Sequence, residues 1–192
     1  LAELVLQLVA DRPGEHVERI LEALAATVAE KGYPAVTVAD IARSAAISLS
    51  TFYAHFPNKE EAFLAAQDSI QTQAAAATLP AYNGGSDWPR AVRAGLHALI
   101  QYTAVQAAWA HLGQVAVYTA GLRALARADR GVAAFHGALA GGYALSPDTP
   151  PIASEAIGGA IQALMYNQIR DAGTERLGAI APLATFVALA PF

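Results

Sequence analysis

The sequence predicts an all-α protein, with an N-terminal helix-turn-helix three-helix bundle followed by a C-terminal helical domain. Three observations predict this fold. Hydrophobic residues make up 55% of the chain, and many of them are alanine, the strongest helix former. Apolar residues recur at helical spacing, whereas strand patterns are scarce. Residues 37–59 have the pattern of two short helices joined by a turn.

Composition limits the class of protein. The 192 residues are enough for one large core or two modest ones. The chain has no cysteine, which excludes a disulfide framework and a cysteine zinc site and suits a reducing cytoplasm. The net charge of −4 argues against strong non-specific binding to DNA. Only a few cations, however, need to lie on a DNA-binding face.

One helix is predicted before the helix-turn-helix. Its apolar stripe consists of Val17, Ile20, Leu21, Leu24 and Val28. Lys31-Gly32 ends it, because glycine readily adopts the left-handed conformation after a helix. Residues 1–9 are apolar and could form a short extra helix. Since the chain begins with Leu1, a basic N-terminal arm could be missing.

The first helix of the motif is predicted to begin at Val38. Thr37 and Asp40 have the spacing of a capping box, in which each side chain bonds the other residue's backbone amide. The buried face follows from the helical spacing. It consists of Val38, Ile41, Ala42 and Ala45.

The second helix of the motif follows a turn at residues 45–47, and Ser48 is its predicted N-cap. Its apolar positions are Leu49, Phe52, Tyr53 and Phe56, and its other face carries Ser50, Thr51, Ala54 and His55. These small or polar side chains allow close approach to base edges and phosphates. Pro57 ends the helix. Asn58 and Glu61 then form a second capping box for a long helix from Lys59.

Residues 19–66 resemble the DNA-binding domain of the TetR family of bacterial transcriptional regulators. The matching segments are Ile20-Leu21, Lys31-Gly32-Tyr33, 37–42, Ile47-Ser48, 51–56 and Lys59-Glu60. The family usually has glycine where this chain has Ala46, which is costly if φ is positive there. Residues 152–192 resemble the ligand-binding domain of the family more loosely, and residues 189–192 are similar to the ends of actinobacterial members.

The resemblance implies which residues contact DNA. Expected phosphate contacts are Thr37, Arg43, Tyr53, His55 and Lys59. Ser48, Leu49, Ser50 and Thr51 lie where the family contacts base edges or neighbouring sugars. Two alternatives stay open: Tyr53 could be a core residue with its hydroxyl at the surface, and the motif could be a generic helical hairpin.

The second domain, expected over residues 67–192 after a first domain of residues 1–66, is predicted to contain five further helices. A loop is expected at residues 80–89, around Asn83-Gly84-Gly85-Ser86. Helices are then predicted at about 87–106, from there to 118 as a second helix, at 122–141 and at 152–172. Thr174 is expected to cap a last helix that Pro182 kinks or splits.

Residues 94–122 contain no charged side chain and are long enough to span a bilayer. They include His97, Gln101, Gln106, His111 and Gln114, and such polar side chains are costly in lipid. A buried pair of helices lining a pocket fits better. No signal peptide is evident, so the expected location is the cytoplasm, without membrane association.

A small, apolar, uncharged effector is expected in the second domain, in a pocket enclosed by the three helices after the predicted loop. The candidate lining residues are His97, Tyr102, Trp109, Gln114, Tyr118, Phe135 and His136. Each could equally be an ordinary core residue. Arg123 and Arg127 lie just beyond the uncharged stretch, and either could turn inward to meet an anion.

In the TetR family the last two helices pair with their copies in a homodimer. The candidate interface residues are Ile157, Gly158, Ile161, Leu164 and Gln168. The alternative is that this stripe packs only within its own subunit.

The predicted function is a ligand-responsive DNA-binding regulator, a repressor acting on double-stranded DNA, and not an enzyme. Two alternatives remain. One is a helical small-molecule-binding protein or enzyme with a vestigial helix-turn-helix, and the other is a helical interaction protein. No phosphate-binding loop, nucleophile elbow or helical zinc motif occurs in the sequence. No cofactor or metal is therefore expected.

Overall fold

The computed structural model describes residues 13–192, and the expected apolar helix at residues 1–9 and the N-terminal arm lie outside them. The predicted all-α fold is confirmed. The helices are α1 (Pro13–Lys31), α2 (Val38–Ser44), α3 (Leu49–His55), α4 (Lys59–Asn83), α5 (Trp88–Ala104), α6 (Ala107–Gln114), α7 (Leu122–Leu145), α8 (Ala153–Ala172) and α9 (Ala181–Leu189). Short 3-10 helices occur at Tyr33–Ala35, Ala116–Thr119 and Leu177–Ile180.

The helix boundaries of the helix-turn-helix follow the predicted caps. Thr37 and Asp40 form the reciprocal capping box, and α2 begins at Val38. The Ser48 hydroxyl accepts a hydrogen bond from the Thr51 amide, and the Asn58 side chain accepts one from the Glu61 amide. Only this half of the predicted second capping box forms among the described residues, because the Glu61 carboxylate pairs with Arg123 instead. These local bonds satisfy amides that the helices leave free at their N-termini.

The long helix α4 differs from the prediction at its C-terminus. It continues through Pro80 to Asn83, so the loop predicted from residue 80 begins only at Gly84. Pro80 lies in the last turn, where its carbonyl still accepts a hydrogen bond from the Gly84 amide at 3.1 Å. The predicted domain boundary after residue 66 lies inside this continuous helix.

Two other predicted helices end or begin elsewhere. The helix expected to reach Tyr118 stops at Gln114 and is followed by a 3-10 helix. The last helix begins at Ala181 rather than after Thr174, so Pro182 lies in its first turn and does not kink it. A proline costs little there, since the helix makes no use of that amide.

Two hydrophobic clusters form the core. The first joins the N-terminal helices to side chains of α6 and the following segment, including Leu112, Val117 and Ala124. The second lies among α5, α7, α8 and α9 and includes Ile100, Leu139 and Ile161. The uncharged segment 94–122 is divided among α5, α6 and a 3-10 helix. Over residues 13–192, none of the helices has both the length and the hydropathy to cross a membrane.

Candidate nucleic-acid interface and ligand cavity

Helix α3 buries only half of its predicted apolar stripe. Phe52 and Phe56 are buried, but Leu49 is 49% exposed and Tyr53 is 55% exposed. The exposure of Leu49 and Tyr53 fits their predicted place at the DNA, and Tyr53 is not the core residue that the alternative would make it. The Tyr53 ring contacts Phe52 edge-on at a centroid distance of 5.6 Å. Exposed Leu49 and Tyr53 therefore lie on an outward face of the second motif helix.

Three hydroxyl groups meet at the N-terminus of α3. The Ser48 Oγ lies 2.7 Å from the Ser50 Oγ and 2.8 Å from the Thr51 Oγ1. Ser48 and Ser50 are exposed and Thr51 is half-buried. Because each hydroxyl both donates and accepts, this group can exchange internal hydrogen bonds for bonds to an external partner.

A second polar group lies at the start of α2. The Thr37 hydroxyl donates to Asp40 Oδ2 at 2.7 Å, and Lys31 Nζ and Arg43 Nη1 lie 3.0 and 3.2 Å from Asp40 Oδ1. The hydrogen bonds from the Thr37 hydroxyl and the Lys31 ammonium hold the pKa of the Asp40 carboxyl well below its usual range. Arg43 is largely exposed, so its guanidinium can also reach an outside anion.

Lys59 lies in the first turn of α4, as predicted, but its ammonium is engaged inside the domain. Nζ donates to the Tyr33 carbonyl at 2.8 Å and to the Val36 carbonyl at 2.7 Å. Burial lowers the pKa of this ammonium. Lys59 thus connects α4 to the segment between α1 and α2, and its phosphate contact stays a prediction.

The turn of the motif has the geometry for which the family uses glycine. Ala46 has a φ of +51°, a left-handed conformation that is costly for a residue with a Cβ. The Arg19 guanidinium donates to the Ala45 and Ala46 carbonyls at 2.5 and 3.0 Å. Sequence reasoning did not identify this role of Arg19, because nothing in the spacing links residues 26 positions apart.

His55 is half-buried, and its ring contacts that of His16 at a centroid distance of 5.7 Å.

A cavity of about 530 Å³ lies among α4, α5, α6, α7 and α8. Of the seven predicted lining residues, only Gln114 and Phe135 lie in its wall. The other five are elsewhere: His97, Tyr102, Trp109, Tyr118 and His136. His97 is exposed on α5, Tyr118 is 49% exposed, and Trp109 packs against the first hydrophobic cluster. Apart from Phe135, the residues that α5 and α7 contribute to the wall are small or aliphatic.

Much of the cavity wall comes from α4, which sequence reasoning treated only as a connection. Gln67, Gln71 and Thr78 line it from this helix. Their spacing of four and seven residues places them on one helix face, and this periodicity was the available signal. The arginines that could have turned inward are held in ion pairs, Arg123 with Glu60 and Glu61, and Arg127 with Asp68.

The predicted dimer stripe on α8 faces the interior of its own subunit at three of its five positions. Ile157 and Ile161 are buried in the second cluster, and Gly158 lines the cavity. Leu164 and Gln168 are half-buried. An apolar stripe identifies the face that a helix buries, but not what covers it. The exposed apolar side chains of α9 include Leu183 and Phe186, which are 49% and 68% exposed.

The chain combines a capped helix-turn-helix, whose second helix is exposed, with a helical domain that contains the cavity. One continuous helix, α4, joins the two. This arrangement defines a DNA-binding protein of the helix-turn-helix class. Residues 20–66 match the family model of the bacterial regulatory proteins of the tetR family. These residues are a TetR-family DNA-binding domain, and the family recognised from the sequence is confirmed. No curated protein matches the chain.

Solved structures share the fold over nearly the whole chain. The fatty acid degradation regulator FadR from Bacillus halodurans has a TM-score of 0.80 at 18% identity, covering 90% of this chain and 94% of that one. FadR from Bacillus subtilis, solved in complex with stearoyl-CoA, has a TM-score of 0.77 at 16% identity, covering 91% and 98%. A tetR-family regulatory protein from Rhodococcus RHA1 has a TM-score of 0.71 at 23% identity, covering 90% and 96%. The likeness to actinobacterial members stays a prediction.

Proposed function

We propose that the protein is a ligand-responsive transcriptional repressor that binds a pseudo-palindromic DNA site as a homodimer. A small apolar effector in the cavity would release it from DNA. The most direct support is that one helix, α4, belongs to both sites: Lys59 in its first turn bonds within the DNA-binding domain, and Gln67 farther along lines the cavity. We assign no reaction to the protein, because this role needs binding alone, and we place it in the bacterial cytoplasm with its DNA.

The proposed DNA-binding face is the outward side of α2 and α3. Helix-turn-helix proteins place the N-terminal residues of the second helix against base edges in the major groove. The exposed hydroxyls of Ser48 and Ser50 beside Leu49 suit that position. The proposed phosphate contacts are Thr37, Arg43, Tyr53, His55 and Lys59.

Helices α4 and α7 are bonded along a seam that includes Gln67 and Gln71 on α4 and Ala124 and Arg127 on α7. We propose that this seam couples the cavity to the DNA-binding face. On its inner side Gln67 Nε2 donates to the Ala124 carbonyl at 3.2 Å, and Gln71 Nε2 donates to the Arg127 carbonyl at 2.8 Å. On its outer side Arg123 Nη1 lies 2.6 Å from Glu61 Oε1. An effector that contacts these glutamine side chains would shift α4 against α7 and so change the separation of the two α3 helices in a dimer.

We propose that the dimer forms through the outer faces of α8 and α9. Exposed large apolar side chains such as Leu183 and Phe186 are costly in water and are characteristic of protein interfaces. A two-fold dimer also matches the symmetry of DNA half-sites. Bacillus subtilis FadR, a protein of similar fold, was solved in complex with stearoyl-CoA, which supports a small-molecule ligand for this chain as well.

The test is a selection from random double-stranded DNA with the purified full chain at low salt. We expect an enriched motif with two-fold symmetry. Tyr53→Phe should then weaken binding to this site about tenfold, because a hydrogen bond to a phosphate is lost. Tyr102→Phe makes the same chemical change on α5 and should leave DNA affinity unchanged. If no motif is enriched, or if both variants bind like the wild type, the proposal is wrong.

A further inference from the structure

Gln67 presents a buried hydrogen-bond acceptor in the cavity wall. Its side chain is 3% exposed, and its Nε2 donates to the Ala124 carbonyl. That bond fixes the orientation of the amide, so the other atom is the carbonyl oxygen. Within residues 13–192, this Oε1 is buried and has no hydrogen-bond partner. Buried amide oxygens are normally satisfied, which marks this one as available to a ligand.

Thr78 differs from other threonines in the helices. Thr27, Thr72, Thr103 and Thr185 each donate their hydroxyl to the carbonyl four residues earlier. The Thr78 hydroxyl, in the cavity wall, is buried and has no partner among the described residues. The same holds for Oε1 of Gln114, which α6 contributes to the cavity wall. Three residues of the cavity wall therefore carry a side-chain oxygen that has no hydrogen-bond partner among the described residues.

The cavity wall has no charged side chain to meet an ionised group. The lining residues found in the described part of the chain include no arginine, lysine, aspartate or glutamate. The side chains of Arg123 and Arg127 are paired with Glu61 and Asp68. Burying a carboxylate or phosphate in a cavity wall that offers it no cation would be strongly unfavourable. An ionised head group inside the cavity is thus excluded on chemical grounds.

Size sets a further limit. Taking the roughly 30 Å³ that a water molecule occupies in the liquid as a guide, a cavity of about 530 Å³ accommodates about 15 to 20 non-hydrogen atoms. Alanine, glycine, leucine and isoleucine residues form most of the wall, which suits a hydrocarbon body.

We infer that the effector is a neutral, mainly hydrocarbon molecule with a hydroxyl or N–H group that donates a hydrogen bond to Gln67 Oε1, an inference that rests on the proposed function of the same cavity. Thr78 lies eleven residues farther along the same helix, about 16 Å from Gln67 at 1.5 Å per residue, so its hydroxyl would face a different part of the ligand from the group that meets Gln67. The bonded Gln67 side chain also holds α7, so the donor group of the ligand touches the seam directly.

Three probes of similar shape test this ligand class: para-octylphenol, its methyl ether para-octylanisole, and para-octylbenzoate. Affinities are measured by titration calorimetry on the full chain without DNA. The phenol should bind about tenfold more tightly than the ether, which cannot donate, and the benzoate should bind weakest. Equal binding of phenol and ether, tightest binding of the benzoate, or no binding of any probe would overturn the inference.

Two variants separate the ligand contact from the seam. Gln67→Met keeps the side-chain length but removes the acceptor, and it should reduce the phenol-to-ether affinity ratio at least threefold. Gln71→Met removes the equivalent bond from α4 to α7 but none of the unpartnered oxygens, so it should keep the ratio of the wild type. An unchanged ratio in Gln67→Met would overturn the role of Gln67. DNA release is measured separately: a phenol that binds with the expected ratio but does not release DNA refutes the proposed function and leaves the ligand class standing.

Discussion

The ammonium nitrogen of Lys59 lies 4.1 Å from the centroid of the Tyr33 ring and donates a hydrogen bond to the Tyr33 carbonyl at 2.8 Å. The Tyr33 ring packs in turn against Phe63, with a centroid distance of 4.9 Å. A residue expected at a phosphate is therefore also a structural connection between the start of α4 and the segment after α1.

Lys59→Met should lower the free energy of unfolding by about 1–3 kcal/mol, because two charge-assisted hydrogen bonds and a cation–π contact are lost. Urea unfolding at neutral pH measures this. Lys31→Met is the matched control. Its ammonium lies in an exposed pair with Asp40, so the change should cost less than about 1 kcal/mol. Equal stability of Lys59→Met and wild type would contradict the structural role.

The stability contributed by Asp40 should depend on pH. Its carboxyl has a lowered pKa in the folded protein, against about 3.9 in an unfolded chain. The contribution is therefore complete above about pH 5 and is lost as the pH falls through the folded pKa. Asp40→Asn removes this titration. The stability difference between wild type and Asp40→Asn should be constant from about pH 7 to 5 and shrink below about pH 4. A difference that stays constant down to about pH 3 would be inconsistent with the lowered pKa.

Ala46→Gly should stabilise the protein by about 0.5–1 kcal/mol, because glycine adopts the left-handed turn without a Cβ penalty. The control is Ala39→Gly, at an exposed helical position of α2. It should destabilise by a similar amount, since glycine is unfavourable in a helix interior. Thermal and urea unfolding of both variants give the comparison. Destabilisation by both changes would refute strain at Ala46.

Phe186→Asp should produce a soluble monomer at micromolar concentration, as measured by sedimentation, if the outer face of α9 forms the dimer. Leu122→Asp places the same charge at another exposed apolar residue, on α7, and should leave the dimer intact. Ile161→Asp is a poorer test, because Ile161 is buried in its own subunit and an unpaired buried charge should unfold the chain. A wild-type chain that is monomeric at this concentration would rule out the proposed dimer.

The N-terminal helices could be predicted closely because their boundaries depend on local bonds. The caps formed by Thr37 with Asp40 and by Asn58 with Glu61 are each specified by only four consecutive residues of sequence. The cavity could not be predicted in the same way. The face of α4 that lines the cavity is determined by how α4 packs against α5 and α7. Sequence reasoning therefore missed Gln67 and Thr78 and included His97, which is exposed. For the same reason the stripe containing Ile161 was assigned to a partner subunit.

The first hydrophobic cluster has a consequence for modularity. It unites Phe52 and Phe63 of the N-terminal helices with Leu112 and Val117, which lie far along the chain. A fragment ending near residue 66 would expose part of this core to water, so the chain should melt in a single cooperative transition rather than in two. A chimaera that exchanges only the N-terminal segment would inherit mismatched packing at α6. The portable unit for engineering is therefore larger than the helix-turn-helix and includes α6 with the segment up to Ala124.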